Sequence, residues 1–340
     1  MVPRRKDGTY VGTTHIRVLR PLQHPSLSDL LFFSPVAEIE ASLPDCDVML
    51  VQRDAVPSPE QAQKLLEHCR ARKIRLVYEI DDDLLNIPNG NPAQKSLTHA
   101  KKAAIRTLLK QSDAVIVSTS PLKERIAEFN SNVFVLPNAL DEQLWQPSSI
   151  KNLCRSQSDK VKILYMGTRT HDDDLSIVLP ALYELKAEYG ERLMFNCIGG
   201  FATEPPSLVS VLNPPTATYP DFAKWMSQSC ECDIAIAPLA ESPFNSCKSY
   251  LKFLDYGICG FAAVFSDVTP YREIVRNGEN GMLVENDPEA WYRKLRYLIE
   301  RPSFRKRLGE KARDDVLKFH TLRAQAAERR EFWMKILDRK

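Results

Sequence analysis

The chain has 340 residues, of which 44% are hydrophobic and 26% are charged, a composition typical of globular proteins with room for about two domains. Its 46 basic and 44 acidic residues give a net charge of +2, which argues against a protein that binds nucleic acid over its whole surface, so we expect no nucleic-acid partner. No segment has the length and apolar character of a membrane span, and the chain does not open with a secretory signal, so the expected location is the cytoplasm.

The first half of the chain alternates short apolar, β-branched runs with amphipathic stretches, which is the pattern of βα units around a parallel sheet. Strands are predicted at residues 15–19, 48–52, 75–80, 114–118 and 133–136. Helices are predicted at 59–72, where apolar residues recur at helical spacing, and at 93–111.

The second half repeats the pattern after a polar segment, 141–159, that has no periodicity. Strands are predicted at 162–166, 193–198, near 216–219, and at 233–237, 262–266 and 281–284, with helices at 175–189, 219–228, 247–256, 288–301 and 303–319. These patterns predict an α/β chain with domains at residues 1–148 and 149–320 and a C-terminal helix at 321–340.

The end of the chain is basic, with thirteen basic and six acidic residues from residue 301 onward. Such a helix can be a solvated face or can rest on an anionic membrane surface. Its apolar residues, Phe332, Trp333, Ile336 and Leu337, could equally pack on protein.

The eight cysteines are scattered through apolar runs without a C-x2-C pair, which predicts reduced, mostly buried thiols. Cys230 and Cys232 could hold a soft metal, but no His or Cys at matching spacing accompanies them. We therefore expect no metal site at the cysteines.

The most informative segment is residues 233–267, in which a buried strand is followed by a loop of small and polar residues and then a helix. Lys248, Lys252 and Asp255 recur there at i, i+4 and i+7, which places them on one helix face. This face can hold an anion and accept from sugar hydroxyls, or it can be an ordinary charged surface.

A helix beginning at residue 247 would offer free backbone N–H groups to a phosphate, with Asn245, Ser246 and Lys248 as further donors. A carboxylate two turns deeper, at Asp255, can accept hydrogen bonds from a ribose. The arrangement predicts a sugar-nucleotide site.

The segments DIAIAPL, PFNSCKSYLKFLDYG, FAAVFSDVTPYREIV and VKILYMGTRTHDDDL resemble the donor site of GT-B glycosyltransferases. The likeness is greatest to the retaining enzymes that carry an E-x7-E motif. YEIDDDLLNIP resembles an acidic loop of the members that build bacterial surface polysaccharides. The resemblance implies two doubly wound Rossmann-like domains facing a central cleft, with the acceptor on the N-terminal side and the nucleotide-sugar on the C-terminal side.

By this resemblance, Asp255 stands where the second Glu of E-x7-E binds the ribose. The first Glu, which touches the donor sugar in the family, is replaced by Cys247, and Glu241 is the acid that could substitute for it. The family's diphosphate clamp is also altered, which leaves Gly167, Arg169 and Lys248 as the nearest equivalents. Such enzymes are usually metal-independent, so neither a metal nor a cofactor is expected.

Three acids, Asp81–Asp83, follow a predicted strand. They could bind Mg²⁺ as a D-x-D motif of a GT-A enzyme, cap a helix, or face the acceptor, with Asp82 as base or positioning group. The second βα domain favours the acceptor role. His171 and Asp172–Asp174 are interpreted as a cleft residue and helix-capping acids rather than as a metal cluster.

His15, His24 and His99 could line the acceptor side, and Asn138 is expected to be a turn residue near the crevice. The predicted function is transfer of a sugar from a nucleotide-sugar donor to a saccharide or lipid-linked acceptor in polysaccharide or lipopolysaccharide synthesis. A GT-B sugar-nucleotide epimerase and a nucleotide-sugar-binding scaffold without turnover are the alternatives.

Overall fold

The computed structural model of the protein describes residues 1–5, 7–35, 45–146, 160–167, 172–199, 204–214 and 218–338. The chain divides into two compact units. The first unit comprises residues 1–141, 247–249 and 325–340, and the second comprises 142–246 and 250–324. Residue 148, where the sequence places the domain boundary, lies outside the described residues.

The first unit is built on a parallel four-stranded sheet with the order β1-β2-β3-β4. Its strands are Val48–Gln52, Arg75–Ile80, Ala114–Val117 and Val133–Val135. The predictions for these four strands are confirmed to within one residue. They succeed because strands covered on both faces read as continuous apolar runs.

The predicted strand at residues 15–19 is wrong. The chain there is helical throughout, as Gly12–Thr14, the π-helical turn His15–Leu19 and Arg20–Gln23. Thr14, Arg17, Val18 and Leu22 are buried at helical spacing. The charged Arg17 on the buried face hid this period from a reading that looks for apolar residues alone.

The remaining helices of the first unit pack beside the sheet. They are Pro25–Leu27, Pro59–Ala71, Pro92–Ser96, His99–Gln111, Ser120–Ile126 and Ala326–Asp338. Ser58 caps the second of these by accepting from the Gln61 N–H at 3.3 Å.

The C-terminal helix Ala326–Asp338 buries its apolar residues inside the first unit. Phe332, Trp333 and Ile336 join the core cluster of that unit, and Phe332 lies edge-on to Phe134 with the ring centroids 5.1 Å apart. Arg330 adds a two-pronged ion pair to Asp29 at 2.7 Å. The apolar face of this helix is therefore occupied by protein.

The second unit contains a parallel six-stranded sheet with the order β10-β9-β8-β5-β6-β7. Its strands, β5 to β10 in chain order, are Val161–Gly167, Leu193–Gly199, Val209–Leu212, Ile234–Ala237, Ala262–Ser266 and Met282–Val284. The strand order reverses between β5 and β8. Sheets of this doubly wound kind bind ligands where the order reverses, at the carboxyl ends of the strands.

The short strand predicted near residues 216–219 is wrong where it can be compared. Residues 215–217 lie outside the described residues, and Tyr219 begins a helix. The edge strand is Val209–Leu212 instead, and it has no fully buried residue. A half-exposed edge strand lacks the apolar run on which the prediction relied.

The helices of the second unit cover its sheet. They are Glu142–Trp145, Asp172–Ser176, Leu179–Tyr189, Gly190–Arg192, Tyr219–Ser229, Pro243–Ser246, Leu251–Ile258, Thr269–Arg272, Pro288–Ile299 and Pro302–Phe319. The helix predicted to begin at residue 247 begins at Leu251, so that prediction is wrong at its start. The helix predicted over 175–189 is divided in two.

A close backbone approach fixes the long helix Pro302–Phe319. A Cβ atom on Gly309 would overlap the carbonyl oxygen of Gly260, and Gly260 itself has a φ of +73°. Only glycine allows this helix to pack so closely against the end of Leu251–Ile258.

Among the described residues, no helix is long and apolar enough to cross a membrane. Six of the seven cysteines in the described ranges are buried, none of the seven forms a disulfide, and Cys46 is half-buried. The prediction of mostly buried thiols is confirmed for these positions.

Candidate functional site

The point where the strand order of the second unit reverses is held by a tyrosine. The Tyr256 hydroxyl accepts from the Met166 N–H at 3.1 Å and donates to the Ile236 carbonyl at 3.1 Å. It thereby joins β5 and β8 at the end of their pairing, where Tyr165 and Ile236 form the last pair. The carboxyl ends of these strands are the ligand-binding edge of such a sheet.

Gly167 ends β5 at this edge and packs against the ring of Tyr165. A Cβ atom at position 167 would lie 2.5 Å from the Tyr165 hydroxyl oxygen. Lys252 lies over the same ring, with its Nζ 5.1 Å from the ring centroid. Gly167 and Lys252, two of the predicted site residues of the second unit, thus lie against the same aromatic side chain.

Asp255 is the buried acid of this group. Its side chain is 4% exposed, and its Oδ1 has no hydrogen-bond partner among the described residues. Burial raises the pKa of Asp255 from 3.8 to about 8, although the charge of Lys252 acts to lower it. A buried carboxyl oxygen without a partner is costly unless a ligand hydroxyl supplies the hydrogen bond.

Asn245 and Ser246 do not stand at the start of a long helix, as predicted. They lie in the one-turn helix Pro243–Ser246, where Asn245 Nδ2 donates to the Ala240 carbonyl at 2.8 Å and Ser246 Oγ donates to the Ser242 carbonyl at 2.9 Å. These donors stabilise the loop. The correction removes the Ser246 hydroxyl from the predicted helix-end phosphate site, because its one proton is donated to Ser242, whereas the Asn245 amide uses one of its two hydrogens for the loop.

The loop after β8 is further fixed from two sides. Ser266 Oγ accepts from the Leu239 N–H at 2.8 Å and donates to Asn286 Oδ1 at 2.6 Å, while Asn286 Nδ2 returns a hydrogen bond to the Leu239 carbonyl at 2.9 Å. Asp174 accepts from the Ala240 N–H at 2.8 Å and so ties this loop to the helix Asp172–Ser176. Glu241, the acid offered in place of the missing glutamate, is exposed.

Residues 247–249 belong to the first unit, whereas their neighbours Ser246 and Tyr250 belong to the second. Thr119 Oγ1 donates to the Cys247 carbonyl at 2.9 Å. Burial raises the pKa of the Cys247 thiol to about 11, so this residue does not supply a carboxylate-like charge where the first Glu of E-x7-E would stand.

Lys248 lies beside the acidic loop of the first unit, with its Nζ 4.0 Å from Asp82 Oδ1. Both side chains are partly exposed, at 21% for Lys248 and 28% for Asp82. The structure therefore brings together two of the predicted site residues that are far apart in the sequence.

Arg53, which the sequence analysis missed, connects the acids of this loop. Its guanidinium is paired with Asp81 and lies 3.2 Å from Asp82 Oδ2, and Asp81 also accepts from Thr13. Burial lowers the pKa of Arg53, but the attraction of Asp81 and Asp82 outweighs it and raises that pKa. Arg53 remains a cation throughout the physiological pH range.

The backbone of Arg53 is in the left-handed region, with a φ of +49°. Its N–H donates to the Glu79 carbonyl at 2.8 Å, and its carbonyl accepts from the Tyr78 hydroxyl at 2.6 Å. Non-glycine residues adopt this conformation where their surroundings require it, often at functional sites. Arg53, the residue directly after β1, is thus held with its side chain against Asp81 and Asp82, the acids directly after β2.

Asp83 is bound by its own loop, because Asn86 Nδ2 lies 3.0 Å from both of its carboxyl oxygens. No helix begins at residues 81–85, so the helix-capping alternative is wrong. Each of the three carboxylates has a partner: Arg53 for Asp81, Arg53 and Lys248 for Asp82, and Asn86 for Asp83.

A buried ion pair lies behind this loop. Arg17 Nε donates to Glu79 Oε1 at 2.7 Å, and Gln52 Nε2 donates to Glu79 Oε2 at 2.9 Å. Burial raises the pKa of Glu79 despite the charge of Arg17. Asn138, expected to be a turn residue, is buried and hydrogen-bonded to Arg17 and to Ser249. Sequence reasoning did not single out Arg17, Glu79 or Ser249.

Other predicted residues lie elsewhere or cannot be described. Arg169 and His171 fall outside the described residues. His15 lies on the helical turn His15–Leu19, His24 Nδ1 lies 2.7 Å from Ser26 Oγ, and His99 is exposed at the start of His99–Gln111.

Comparison with known proteins agrees with the fold. Residues 160–301 match the family described as glycosyl transferases group 1. None of the curated proteins compared with the chain matches it.

Solved structures match over most of the chain. Sucrose-phosphate synthase from Thermosynechococcus elongatus has a TM-score of 0.64 at 13% identity, with 86% of this chain and 74% of that chain covered. HepE from Anabaena, in complex with UDP-glucose, has a TM-score of 0.60 at 14% identity, with 85% and 79% covered. A glycosyltransferase from Rickettsia africae ESF-5 has a TM-score of 0.57 at 14% identity, with 82% and 81% covered. The α/β fold of the GT-B type, predicted from the sequence, is confirmed.

Proposed function

We propose that the protein transfers a sugar from a nucleoside-diphosphate sugar to the hydroxyl group of an acceptor. The observation that carries this proposal is the buried carboxyl of Asp255, whose Oδ1 has no partner within the described residues, near the point where the strand order of the second unit reverses. A buried polar group at the carboxyl ends of the strands, where the strand order reverses, indicates a ligand site. The family match of residues 160–301 supports the same function.

Asp255 is proposed to bind the ribose hydroxyls of the donor. Lys252, held on the ring of Tyr165, adds positive charge beside it, and Gly167 lets that ring lie against the end of β5. Lys248 and Arg169 are proposed to contact the diphosphate. When the bond between the anomeric carbon and the phosphate oxygen breaks, negative charge develops on the leaving diphosphate, and these cations stabilise it.

Asp82 is proposed to accept a hydrogen bond from the acceptor hydroxyl and to take its proton as the new glycosidic bond forms. Arg53 is proposed to hold Asp82 in place, since it contacts both Asp81 and Asp82 from a constrained backbone. We further propose that no metal is required. The basic side chains supply the positive charge, and the acids of the loop have partners in the protein.

The acceptor is proposed to be a saccharide or a lipid-linked saccharide, and the transfer to be retaining, as the resemblance implies. Because Cys247 stands where the first Glu of E-x7-E is expected, other residues must make the contacts to the donor sugar. Any contact of the Ala326–Asp338 helix with an anionic membrane would use its basic residues, because Phe332, Trp333 and Ile336 are buried in the protein core. The proposed place of action is the cytoplasm, at the inner face of the membrane or free of it.

The proposal is tested by a thermal-shift screen against UDP, GDP, TDP, CMP, ADP and NAD, each with and without Mg²⁺. A ligand at about 100 times its dissociation constant should stabilise the protein by about 2.7 kcal/mol and raise the unfolding midpoint by several degrees. A rise with one nucleoside diphosphate and no dependence on Mg²⁺ is expected. A rise that requires Mg²⁺ would move the role of Asp81–Asp83 to metal binding.

The matching nucleotide-sugar is then incubated with candidate saccharide acceptors, and the products are resolved by mass spectrometry. A product heavier than the acceptor by one sugar residue is expected. Isomerisation of the nucleotide-sugar without an acceptor would identify an epimerase instead. Binding without turnover for every acceptor would favour a scaffold.

A further inference from the structure

A chain of hydrogen-bonded polar side chains runs through the first unit and ends at a serine beside Lys248. Its members in order are Thr14, Gln52, Glu79, Arg17, Asn138 and Ser249. The first five are at most 8% exposed, whereas Ser249 is only partly buried. A buried polar chain of this length is costly to form unless each member is satisfied, so its direction is strongly constrained.

Arg17 sets that direction because a guanidinium only donates hydrogen bonds. Its Nη1 lies 2.9 Å from the side-chain oxygen of Asn138 and 2.7 Å from the Leu136 carbonyl, while its Nε donates to Glu79. The oxygen of the Asn138 amide must therefore face Arg17. The NH₂ group of Asn138 then faces Ser249.

Asn138 Nδ2 donates to Ser249 Oγ at 2.7 Å. The serine oxygen accepts this hydrogen, so the hydroxyl proton of Ser249 must point in another direction. Within the described part of the chain, no acceptor receives that proton. The buried chain thus presents Ser249 as a hydrogen-bond donor whose proton faces away from Asn138.

The ligand that suits this donor follows from its neighbour. Lys248 precedes Ser249 in the chain, so one short segment carries both an ammonium group and a hydroxyl donor, and the two together suit an anionic oxygen. A neutral ligand group, such as a carbonyl or a sugar hydroxyl, would not need the positive charge of Lys248. A phosphate oxygen uses both the ammonium group and the hydroxyl.

We infer that the hydroxyl of Ser249 donates to a phosphate oxygen of the nucleotide-sugar, and that Arg17, Glu79 and Asn138 are positioning residues that aim it. This inference rests on the proposed function. It adds a donor-binding residue and explains why buried charges lie behind the segment 247–249.

The sharpest test is Asn138→Asp. The carboxylate keeps the size of the amide and its contact with Arg17 but has no N–H, so it accepts the Ser249 proton and turns the hydroxyl away from the ligand. Isothermal titration with UDP, GDP, TDP and ADP measures the affinity of the full chain, and the thermal midpoint reports folding. The tightest nucleotide is expected to bind about 10- to 100-fold more weakly to this variant.

Ser249→Ala should lose a similar factor, and Ser249→Thr, which keeps the hydroxyl, should retain affinity within about threefold. The double variant Asn138→Asp with Ser249→Ala should bind no more weakly than Ser249→Ala alone, because the hydroxyl to be turned is absent. If Asn138 had only a structural role, the losses of nucleotide affinity in the two single variants would add in the double variant. Ser249→Ala and Ser249→Thr also test the inference if Asn138→Asp does not fold.

Unchanged nucleotide affinity in Ser249→Ala, or additive losses in the double variant, would overturn the inference while leaving the proposed function intact. A wild-type protein that binds none of the four nucleotides would overturn the proposed function, and the inference with it. The inference would be established if both Asn138→Asp and Ser249→Ala lose nucleotide affinity as expected and the double variant loses no more than Ser249→Ala.

Discussion

Lys248 Nζ lies 4.0 Å from Asp82 Oδ1, so the cation proposed for the donor phosphate is paired with the acid proposed for the acceptor. The two groups are 21% and 28% exposed, which leaves both accessible to ligands. Binding of a diphosphate to Lys248 would compete with Asp82 for the same charge. In the proposed reaction, donor binding at Lys248 would therefore be electrostatically coupled to Asp82 through this contact.

Reversing the charge of Lys248 tests its part in this contact. Lys248→Glu should weaken binding of the preferred nucleoside diphosphate by about 10- to 100-fold. A charge-assisted hydrogen bond is lost, and an anion is placed beside the phosphate. The measurement is isothermal titration on the folded variant. Lys64→Glu, an exposed lysine on Pro59–Ala71, makes the same charge change and should bind normally. Equal affinity in Lys248→Glu and wild type would remove Lys248 from the site.

Asp82→Asn separates catalysis from donor binding. The amide keeps the shape of the side chain but cannot take a proton, so kcat of sugar transfer should fall by roughly 10²- to 10⁴-fold. Affinity for the nucleoside diphosphate should not fall, because Lys248 is still present and no longer has the Asp82 charge as a competing partner. Steady-state kinetics and titration on the same preparation provide both values. An Asp82→Asn enzyme with normal kcat would show that Asp82 is not involved in the reaction.

The pH dependence of stability should report Asp255. Its pKa is about 8 in the folded chain against 3.8 in its ordinary state, so the folded protein holds this proton more tightly than the unfolded chain. The stability linked to Asp255 is therefore complete at pH values below its ordinary pKa and declines as the pH rises toward about 8. Asp255→Asn removes the titrating group and should remove this part of the decline.

Thermal midpoints of the wild type and Asp255→Asn from about pH 5 to 9 provide the test. The midpoint of the wild type should fall relative to that of the variant up to about pH 8, and the difference should then level off. Lys252→Met, which removes the charge that lowers the pKa of Asp255, should move the levelling point to higher pH. Parallel curves for wild type and Asp255→Asn would contradict the raised pKa.

Gly309→Ala should destabilise the second unit through backbone overlap. The added methyl would overlap the carbonyl oxygen of Gly260, and overpacking of this kind typically costs about 1–3 kcal/mol. Calorimetry should show a midpoint lower by several degrees. Glu310→Ala, an exposed neighbour on the same helix, should shift the midpoint far less. A Gly309→Ala protein as stable as wild type would mean that the two helices can separate at no cost.

Most strands of the sheets could be predicted because buried parallel strands read as continuous apolar runs in the sequence. The strands at 48–52 and 75–80 are found where the sequence predicts them. The helical stretch that contains Arg17 could not be recognised, since its buried face carries a charge whose partner, Glu79, is 62 residues away. A long-range ion pair leaves no local pattern.

At the proposed site, the structure departs from the sequence prediction in the geometry of the segment around residue 247. The spacing of Lys248 and Asp255 suggested one helix face, but the helix begins at Leu251, because contacts from Thr119 and Asn138 hold residues 247–249 in the first unit. Arg53 gave no signal at all. Its position depends on a left-handed backbone that Tyr78 and Glu79 enforce, and an isolated arginine after a strand does not reveal this.

The assignment of residues 247–249 and 325–340 to the first unit has a practical consequence for truncation. A gene fragment that ends near residue 148 would lack Phe332, Trp333 and Ile336, which would leave Val18, Leu22 and Leu136 without part of their cover. Such a fragment should aggregate, because it would expose apolar surface that the full chain buries. Supplying the C-terminal part as a separate polypeptide should restore solubility. The protein is thus suited to split-protein complementation and unsuited to domain-by-domain expression.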